Sequence, residues 1–273
     1  MNSEQFFNDI KTYKFLANKS LGQNFLCSKD IAEKITNALR VQPEDNVLEI
    51  GAGLGSLSYF LVKNNAQISL IDVDDNMVNE LNNKFSSYKN VNIYRKNILK
   101  TDLSVYSKII GNLPYYITSS IIEKILLDGI NSKLIVLMVQ KEVYLKLTDK
   151  NEISPLSLLL HYVADVSSMC VVGRNNFTPV PHVDSAYFVI TPNNNIKDQQ
   201  NNLLYKLMCK LFLYKRKTIL NNLTKLIGDK EVATEILEKS QIDLMKRPEH
   251  LSIDQYINLL NILKSYDFIN KIM

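Results

Sequence analysis

The chain has 273 residues, of which 46% are hydrophobic and 22% are charged, a composition typical of a globular protein. Its net charge of +4 permits a polyanionic partner without requiring one, and no apolar run approaches the length of a membrane span. The three cysteines and three histidines are scattered, without the spacing of metal ligands or of a disulfide framework. We therefore expect a cytoplasmic protein that holds no metal.

Apolar patterns typical of helices and strands alternate between Ser28 and Ile190. Five buried strands are predicted, at Asn46–Ile50, Gln67–Asp72, Val91–Tyr94, Lys108–Gly111 and Leu134–Val139. Repeated strand–helix units of this kind predict an α/β fold with a mostly parallel, Rossmann-like sheet covered by helices on both faces. Two further β-rich segments, Ala164–Val172 and Ala186–Ile190, predict a closing antiparallel hairpin.

A polar linker at Thr191–Asp198 is followed by helical patterns only. The predicted helices are Leu203–Leu213, Lys217–Leu226, Val232–Leu237 and Ile253–Leu263. We therefore expect three parts: an N-terminal arm with a ligand-contacting motif at residues 1–27, the α/β domain at residues 28–192, and a small all-α domain at residues 193–273.

A glycine-rich turn, Glu49–Gly55, joins a predicted strand to a helix. Gly51 and Gly53 let the backbone turn tightly and approach a ligand closely. The Gly-x-Gly-x-Gly spacing differs from the Gly-x-Gly-x-x-Gly of dinucleotide sites, and Glu49 would repel a pyrophosphate but not the cationic methionine group of S-adenosylmethionine. Asp72 ends the next strand, where a carboxylate can accept hydrogen bonds from both ribose hydroxyls. The pattern favours S-adenosylmethionine over a nicotinamide dehydrogenase or a turn without a ligand.

The tetrapeptide Asn112-Leu113-Pro114-Tyr115 directly follows a predicted strand. An adenine amino nitrogen is a poor nucleophile because its lone pair is delocalised into the ring. The Asn112 side-chain oxygen and the Leu113 backbone oxygen could each accept one N–H, direct the lone pair at a methyl group and stabilise the developing positive charge. Pro114 would fix the turn, and Tyr115 would stack on an extruded base. The tetrapeptide therefore favours methylation of a planar amino group over a purely structural turn.

Basic residues concentrate in the predicted helical domain. They are Lys206, Lys210, Lys215, Arg216, Lys217 and Lys225, interleaved with Tyr205, Phe212 and Tyr214. A solvated helix face is the usual meaning of such a run, but the Lys215–Lys217 cluster favours contacts with RNA phosphates. Near the N-terminus, Lys11, Lys14 and Lys19 either extend this surface or belong to a mobile arm. His182 is interpreted as a solvent-facing loop residue.

The chain resembles the small-subunit (16S) ribosomal RNA adenine N6,N6-dimethyltransferases, the RsmA/KsgA family. The matching segments are residues 19–26, Glu49–Gly55, Asn112–Tyr116, Met138–Val143, Phe177–Ala186, Lys215–Leu223 and Arg247–Ser252. The resemblance implies that S-adenosylmethionine supplies methyl groups to the N6 amino groups of two adjacent adenosines. It places those adenosines in a hairpin loop near the 3′ end of 16S rRNA, within the small ribosomal subunit or its precursor.

The resemblance and the residue patterns together give a set of expected cofactor contacts. These are Asn24, Leu26, Glu49, Gly51, Gly53, Asp72, Asn97 and Asn112. Phe177 resembles the aromatic residue that helps to hold the flipped base opposite Tyr115. Asn97 stands where the family usually has an acid and Asp72 where it usually has a glutamate, and we expect Asn97 to weaken cofactor affinity without abolishing function.

Two other functions stay open on the sequence. One is a 23S rRNA adenine methyltransferase of the erythromycin-resistance type, and the other is a mainly non-catalytic factor for subunit assembly. The Lys215–Thr218 run and the Arg247–Glu249 segment favour the small-subunit enzyme, and the intact tetrapeptide argues against a non-catalytic role. We expect a monomer.

Overall fold

A computed structural model describes residues 2–13, 21–128, 132–149, 152–167, 169–193, 195 and 198–273, the side chains of 198 and 199 excepted. The chain divides into two compact units, Met1–Leu145 with Ala164–Asn193, and Lys146–Val163 with Asn194–Met273. This division differs from the predicted domains, because residues 146–163 belong to the second unit and residues 1–27 to the first. Lys14 and Lys19 lie outside the described residues.

The first unit is built around a large sheet and a separate two-stranded sheet formed by β1 and β9. The strands of the unit are β1 (Phe25–Leu26), β2 (Asn46–Ile50), β3 (Gln67–Asp72), β4 (Val91–Arg95), β5 (Lys108–Asn112), β6 (Leu134–Gln140), β7 (Ala164–Val166), β8 (Cys170–Val172), β9 (Phe177–Thr178) and β10 (Ser185–Pro192). Its helices are α1 (Ser3–Lys11), α2 (Lys29–Ala38), α3 (Ser58–Leu61), α4 (Asp75–Phe85) and α5 (Thr118–Asp128), and α6 (Lys141–Thr148) runs across the division between the units.

Among the described residues, eight strands form the sheet in the order β4-β3-β2-β5-β6-β10-β7, with β8 also paired to β10. Strands β2 to β6 are parallel, and β10 is antiparallel to β6, β7 and β8. The predicted mostly parallel α/β fold is confirmed. The closing strands are antiparallel as predicted, and the eight residues of β10 pair with β6 on one edge and with both β7 and β8 on the other.

The register of the parallel strands brings their carboxyl ends to one edge of the sheet. Ile50 at the end of β2 lies opposite Ile71 in β3 and Gly111 in β5, and Asn112 lies opposite Met138 in β6. Loops that leave this edge can therefore build one shared site. A Cβ on Gly111 would lie 2.8 Å from the Ile50 backbone oxygen, so only glycine permits the close approach of β5 to β2.

Residues 3–11, within the predicted N-terminal arm, form a helix that packs into the core of the first unit. Phe6, Phe7 and Ile10 on one face of α1 are buried. The Phe6 ring centroid lies 4.7 Å from that of Tyr59 and 6.1 Å from that of Phe85. Burial of two phenylalanine rings outweighs the cost of ordering one short helix.

The second unit is helical in all its described elements. They are α7 (Pro155–Val163), α8 (Asp198–Phe212), α9 (Ile219–Ile227), α10 (Lys230–Lys239), α11 (Ile253–Ser265) and α12 (Ile269–Ile272). Gly228, at φ +90°, ends α9, and the Asp229 side chain caps α10. Ser252 and Gln255 form a reciprocal capping box at the start of α11. In the described part of the chain, no helix is long and apolar enough to span a membrane.

Candidate active site

A cavity of about 240 Å³ lies at the carboxyl edge of the sheet in the first unit. Of the predicted site residues, it is lined by Asn24, Leu26, Glu49, Gly51, Gly53, Asp72, Asn97, Asn112, Leu113, Pro114 and Tyr115. The structure therefore brings all the predicted cofactor contacts together with the tetrapeptide. Phe177 is the predicted first-unit site residue that does not line the cavity.

The glycine turn uses backbone conformations and spaces that other residues would not tolerate. Gly51 and Gly53 have φ values of +64° and +55°. The Gly51 and Ala52 amides donate to the Ile71 oxygen at 2.9 and 3.1 Å, which holds the turn against β3. A Cβ on Gly53 would lie 3.2 Å from the Phe25 ring. The positive φ and the Phe25 ring therefore favour glycine at position 53, and the turn lines the cavity with backbone at both glycines.

Two backbone amides hold the Asp72 carboxylate in position. Gly53 donates to its Oδ2 and Asp74 donates to its Oδ1, each at 2.9 Å. Burial raises the pKa of Asp72, and these hydrogen bonds oppose the rise by favouring the ionised form. Each oxygen keeps a lone pair for another donor, so the carboxylate can accept two ligand hydroxyls. Asp74 itself caps α4 by accepting from the Asn76 amide at 2.9 Å.

Glu49 is a buried acid at the cavity wall. Its side chain is 2% exposed, and its Oε2 accepts a 2.6 Å hydrogen bond from the Ser58 hydroxyl. Burial, with a smaller contribution from the Asp72 charge, raises the pKa of Glu49 to about 8, although the Ser58 bond opposes the rise. A cationic ligand in the cavity would favour the carboxylate form, because it replaces the solvation that burial removed.

Asn112 is fixed by a contact with the N-terminal motif. Its Nδ2 donates to the Asn24 backbone oxygen at 3.0 Å, and the Asn24 Nδ2 donates to the Gly22 oxygen at 3.1 Å. Because the amide nitrogen of Asn112 is engaged, its Oδ1 is the acceptor that a bound group can reach.

The remaining tetrapeptide residues are held by the sheet and by α5. The Leu113 amide donates to the Met138 oxygen at 2.9 Å, and its side chain is buried. The Pro114 oxygen accepts from the Thr118 hydroxyl at 2.9 Å. The Tyr115 hydroxyl lies 3.0 Å from the Ser185 hydroxyl of β10, and burial raises the pKa of Tyr115, which keeps the phenol neutral. The ring is thus anchored at its far end.

Tyr116 is a cavity residue to which the sequence analysis assigned no role. It is 55% exposed, and a Cβ on Gly22, at φ +61°, would lie 3.3 Å from its Cδ1 atom. The glycine before Gln23 therefore leaves room for this ring. The adjacent Tyr115–Tyr116 pair was the signal in the sequence that could have indicated a second aromatic wall.

Asn97 lines the cavity but is exposed, and its side-chain oxygen already accepts from the Leu99 amide at 2.9 Å. This bond caps the single 3₁₀ turn at Ile98–Lys100. The residue therefore has a local structural role in addition to any contact with a ligand.

Phe177 is placed in the core instead of at the cavity. Its side chain is 2% exposed, and β9 pairs with β1 so that Phe177 lies opposite Leu26. Phe177 therefore does not line the cavity, and its role in holding a flipped base stays a prediction. Burial of the ring among apolar side chains is favourable, and it fixes the strand that carries Phe25 and Leu26 into the cavity.

The predicted RNA-binding cluster lies in the second unit, on the turn between α8 and α9. Lys215, Arg216 and Lys217 are all exposed. The buried Asn222 side chain donates to three carbonyl oxygens of this turn, those of Tyr214, Lys217 and Thr218, at 3.2, 3.3 and 3.0 Å. The turn is therefore held in shape while its charges stay in solvent.

Other residues of the predicted basic surface have mixed roles. Lys225 places its ammonium 3.5 Å from the centre of the Tyr214 ring, next to the cluster. Lys210 donates to the Lys271 oxygen at 2.7 Å, and the Phe212 ring lies 6.5 Å from the ring of the buried Tyr256. Lys210 and Phe212 thus contribute to packing within the unit.

Comparison with known proteins gives consistent matches over most of the chain. The family model described as "Ribosomal RNA adenine dimethylase" matches residues 14–265. "Ribosomal RNA small subunit methyltransferase A" of Mycoplasma capricolum is 37% identical over 265 residues, which cover 92% of this chain and 99% of the relative. The protein of the same name from Fusobacterium nucleatum is 35% identical over 261 residues, with the same coverage.

Solved structures agree. A dimethyladenosine transferase from Plasmodium falciparum superposes with a TM-score of 0.74 at 26% identity, covering 88% of this chain and 97% of that chain. The 23S rRNA methyltransferase ErmE gives a TM-score of 0.62 at 20% identity over 88% of this chain and 100% of its own, which indicates a shared fold. The extent of the family match and the identity to these relatives confirm the predicted resemblance, and the chain belongs to the ribosomal RNA adenine dimethylase family.

Proposed function

We propose that this protein transfers methyl groups from S-adenosylmethionine to the N6 amino groups of two adjacent adenosines in a hairpin loop near the 3′ end of 16S rRNA, during biogenesis of the small ribosomal subunit. The observation that carries the proposal is that one cavity is lined by the Asn112–Tyr115 tetrapeptide, the Glu49–Gly53 turn and Asp72. The chain belongs to the ribosomal RNA adenine dimethylase family, and its relatives are named as methyltransferases of the small ribosomal subunit. Both findings support 16S rRNA as the proposed substrate.

The residues at the cavity fit S-adenosylmethionine, which when bound supplies an electrophilic methyl group. Asp72 has free acceptor capacity for two ribose hydroxyls, because its two backbone partners use one lone pair on each oxygen. Gly51 and Gly53 leave the turn without side chains, so a ligand can lie against the backbone. Glu49 supplies a buried acid for the cationic part of the ligand, and Asn24 and Leu26 complete the wall.

The tetrapeptide supplies the groups that act on the target amine. The Asn112 Oδ1 and the Leu113 backbone oxygen accept the two N–H bonds of the adenine amino group, so that its lone pair points away from them. The Asn24–Asn112 hydrogen bond keeps the Asn112 oxygen in the acceptor position. No strong base is required, because the methylated, positively charged nitrogen loses its proton readily to water.

Tyr115 positions the target base. An adenine that is extruded from the RNA can stack on this ring, which is held at its hydroxyl by Ser185. The ring orientation is therefore set before the RNA binds.

Contacts to the RNA backbone are proposed for Lys215, Arg216 and Lys217. They are exposed on a turn whose conformation is fixed by Asn222. Such cations release counterions when they bind RNA phosphates, and the backbone that carries them needs no further ordering. We further propose that the enzyme acts as a monomer in the cytoplasm, where the ribosomal subunits that it modifies would be assembled.

The decisive experiment offers methyl-labelled S-adenosylmethionine and either undermethylated small subunits or undermethylated large subunits to the purified protein. We expect label in N6,N6-dimethyladenosine of 16S rRNA. Label only in the large subunit would contradict the proposed substrate. No label in either, with S-adenosylhomocysteine still raising the melting temperature and small subunits still bound, would identify a non-catalytic assembly factor instead.

A further inference from the structure

A second concavity lies in the first unit, between the start of α6 and the loop that precedes β10. Its volume is about 400 Å³, and it is lined by Lys141, Glu142, Leu145, Arg174, His182, Val183 and Asp184. We call it the α6 depression. The catalytic arrangement described above uses none of these residues.

The α6 depression adjoins the residue that is proposed to stack on the target base. Ser185, whose hydroxyl lies 3.0 Å from that of Tyr115, pairs with Gln140 across β10 and β6. Asp184 precedes Ser185 and Lys141 follows Gln140, so both lining residues are one position away from this pair. The α6 depression is therefore connected to the anchor of the Tyr115 ring through adjacent residues of β10 and β6.

The wall of the α6 depression is fixed by hydrogen bonds within the unit. The Lys141 amide donates to the Asp184 backbone oxygen at 3.0 Å, and the Arg174 amide donates to the Asp184 Oδ1 at 2.9 Å. The Arg174 Nη1 lies 3.5 Å from the His182 backbone oxygen. Asp184 thus joins α6 to the loop, and the surface is formed before any ligand arrives.

The chemistry of the α6 depression suits a nucleotide. In the described part of the chain, the Arg174 guanidinium forms no ion pair with a carboxylate, so its donors can bind a phosphate in bidentate fashion. Leu145 and Val183 are 43% and 40% exposed and offer apolar surface to a base. Lys141 and Arg174 are balanced by Glu142 and Asp184, so the site is not a general polyanion patch. Mixed donors, acceptors and apolar surface are what recognition of an unpaired base requires.

We propose that the α6 depression is a second nucleotide subsite, which holds an unpaired nucleotide next to the target adenosine, with Arg174 on its phosphate. This proposal rests on the proposed function, because it assumes an RNA substrate at the adjoining cavity. Its effect would be to set which adenosine of the loop reaches Tyr115.

The test uses Arg174→Gln in the full chain, which removes the charge but keeps the backbone bond to Asp184. Binding of undermethylated small subunits is measured against salt concentration, together with KM and kcat for methyl transfer. Lys89→Gln, a charge removal at an exposed position before β4, is the matched control. The shift in melting temperature caused by S-adenosylhomocysteine reports separately on the cofactor cavity.

We expect Arg174→Gln to weaken subunit binding and raise KM about tenfold, to lower the salt slope by about one, and to leave kcat and the melting shift unchanged. Arg174→Lys should keep the salt slope but recover only part of the affinity. Binding and salt slope equal to those of Lys89→Gln would overturn the proposal. The binding measurement needs no methyl transfer, so a failure of the catalytic proposal would be seen separately.

Discussion

The side-chain nitrogen of Asn112 donates a hydrogen bond to the backbone oxygen of Asn24 at 3.0 Å, joining residues 88 positions apart. The bond links the tetrapeptide after β5 to the segment that enters β1. The Asn24 backbone oxygen can only accept a hydrogen bond, so it must pair with the Nδ2 of Asn112. The Oδ1 of Asn112 is therefore the end of the amide that faces a ligand. The motif near the N-terminus therefore orients the residue that is proposed to act on the target amine.

Substitution Asn112→Ala should remove the acceptor and lower the rate of methyl transfer by about 100- to 1000-fold. Binding of small subunits should be retained, because the contacts proposed for the RNA backbone are made by Lys215, Arg216 and Lys217. The measurement is incorporation of labelled methyl groups into 16S rRNA at saturating subunits, with filter binding of the same subunits as the control. Unchanged methylation would refute the role given to Asn112.

Glu49 should make the ligand-free protein less stable as the pH rises. Its ordinary pKa is 4.5 and its folded value is about 8, so between these values the native state holds a proton that the unfolded chain has lost. The free energy of unfolding then falls with pH by on the order of 1.4 kcal/mol per unit in this window. The contribution is fully present below pH 4.5 and is lost as the pH passes 8.

Calorimetry of Glu49→Gln from pH 5 to pH 9 without cofactor tests this, since the neutral amide can still accept from Ser58. We expect the melting temperature of the wild type to fall relative to that of the variant as the pH approaches 8. Glu44→Gln, at an exposed position, should follow the wild type. Parallel curves for Glu49→Gln and the wild type would show that Glu49 is ionised in the free protein.

Gly55 and Gly228 both have left-handed backbone conformations, but only Gly55 is closely surrounded by side chains. Alanine substitutions at these two positions therefore distinguish the cost of backbone strain from the cost of a steric clash. A Cβ on Gly55, at φ +88°, would lie 2.5 Å from the buried Phe85 ring, whereas one on Gly228, at φ +90°, would meet nothing within 4 Å. Gly228→Ala should cost about 1 kcal/mol of unfolding free energy from strain alone. Gly55→Ala should cost about 1–3 kcal/mol more, because the core around Phe85 is overpacked. Denaturant unfolding followed by circular dichroism measures both, and equal losses would contradict the steric argument.

Asn222 should determine whether the Lys215–Lys217 turn can bind RNA. Asn222→Ala removes the side-chain donor that three turn carbonyls share, although the Tyr214 and Thr218 oxygens keep backbone donors. The variant should lower the affinity for small subunits about tenfold, with a smaller salt slope. Asn221→Ala changes the same residue type at the exposed neighbouring position and should keep wild-type affinity. Filter binding at several salt concentrations compares the two variants. Identical affinities of the two variants for small subunits would show that RNA binding by the turn does not depend on the hydrogen bonds of the Asn222 side chain.

The amino-acid sequence alone determined the elements whose signals are local. The bounds of β2 and β3 agree with the structure residue for residue, because each is an apolar run bounded by polar or glycine positions. The parallel sheet followed from the strand–helix alternation, and the family followed from several motifs in a fixed order. Eleven of the twelve residues predicted for the first-unit site line one cavity, since loops at the carboxyl edge of parallel strands converge.

The tertiary structure decided what depends on contacts between distant segments. Phe177 is buried because β9 pairs with β1, and the sequence alone did not show whether this aromatic residue lies in the core or lines the cavity. The helix at residues 3–11 is ordered by Tyr59 and Phe85, which no local pattern connects to Phe6. The Tyr115–Ser185 hydrogen bond, over 70 positions, joins the ring of the tetrapeptide to β10. Periodicity reports which face of an element is apolar, whereas only the folded chain shows which surface that face meets.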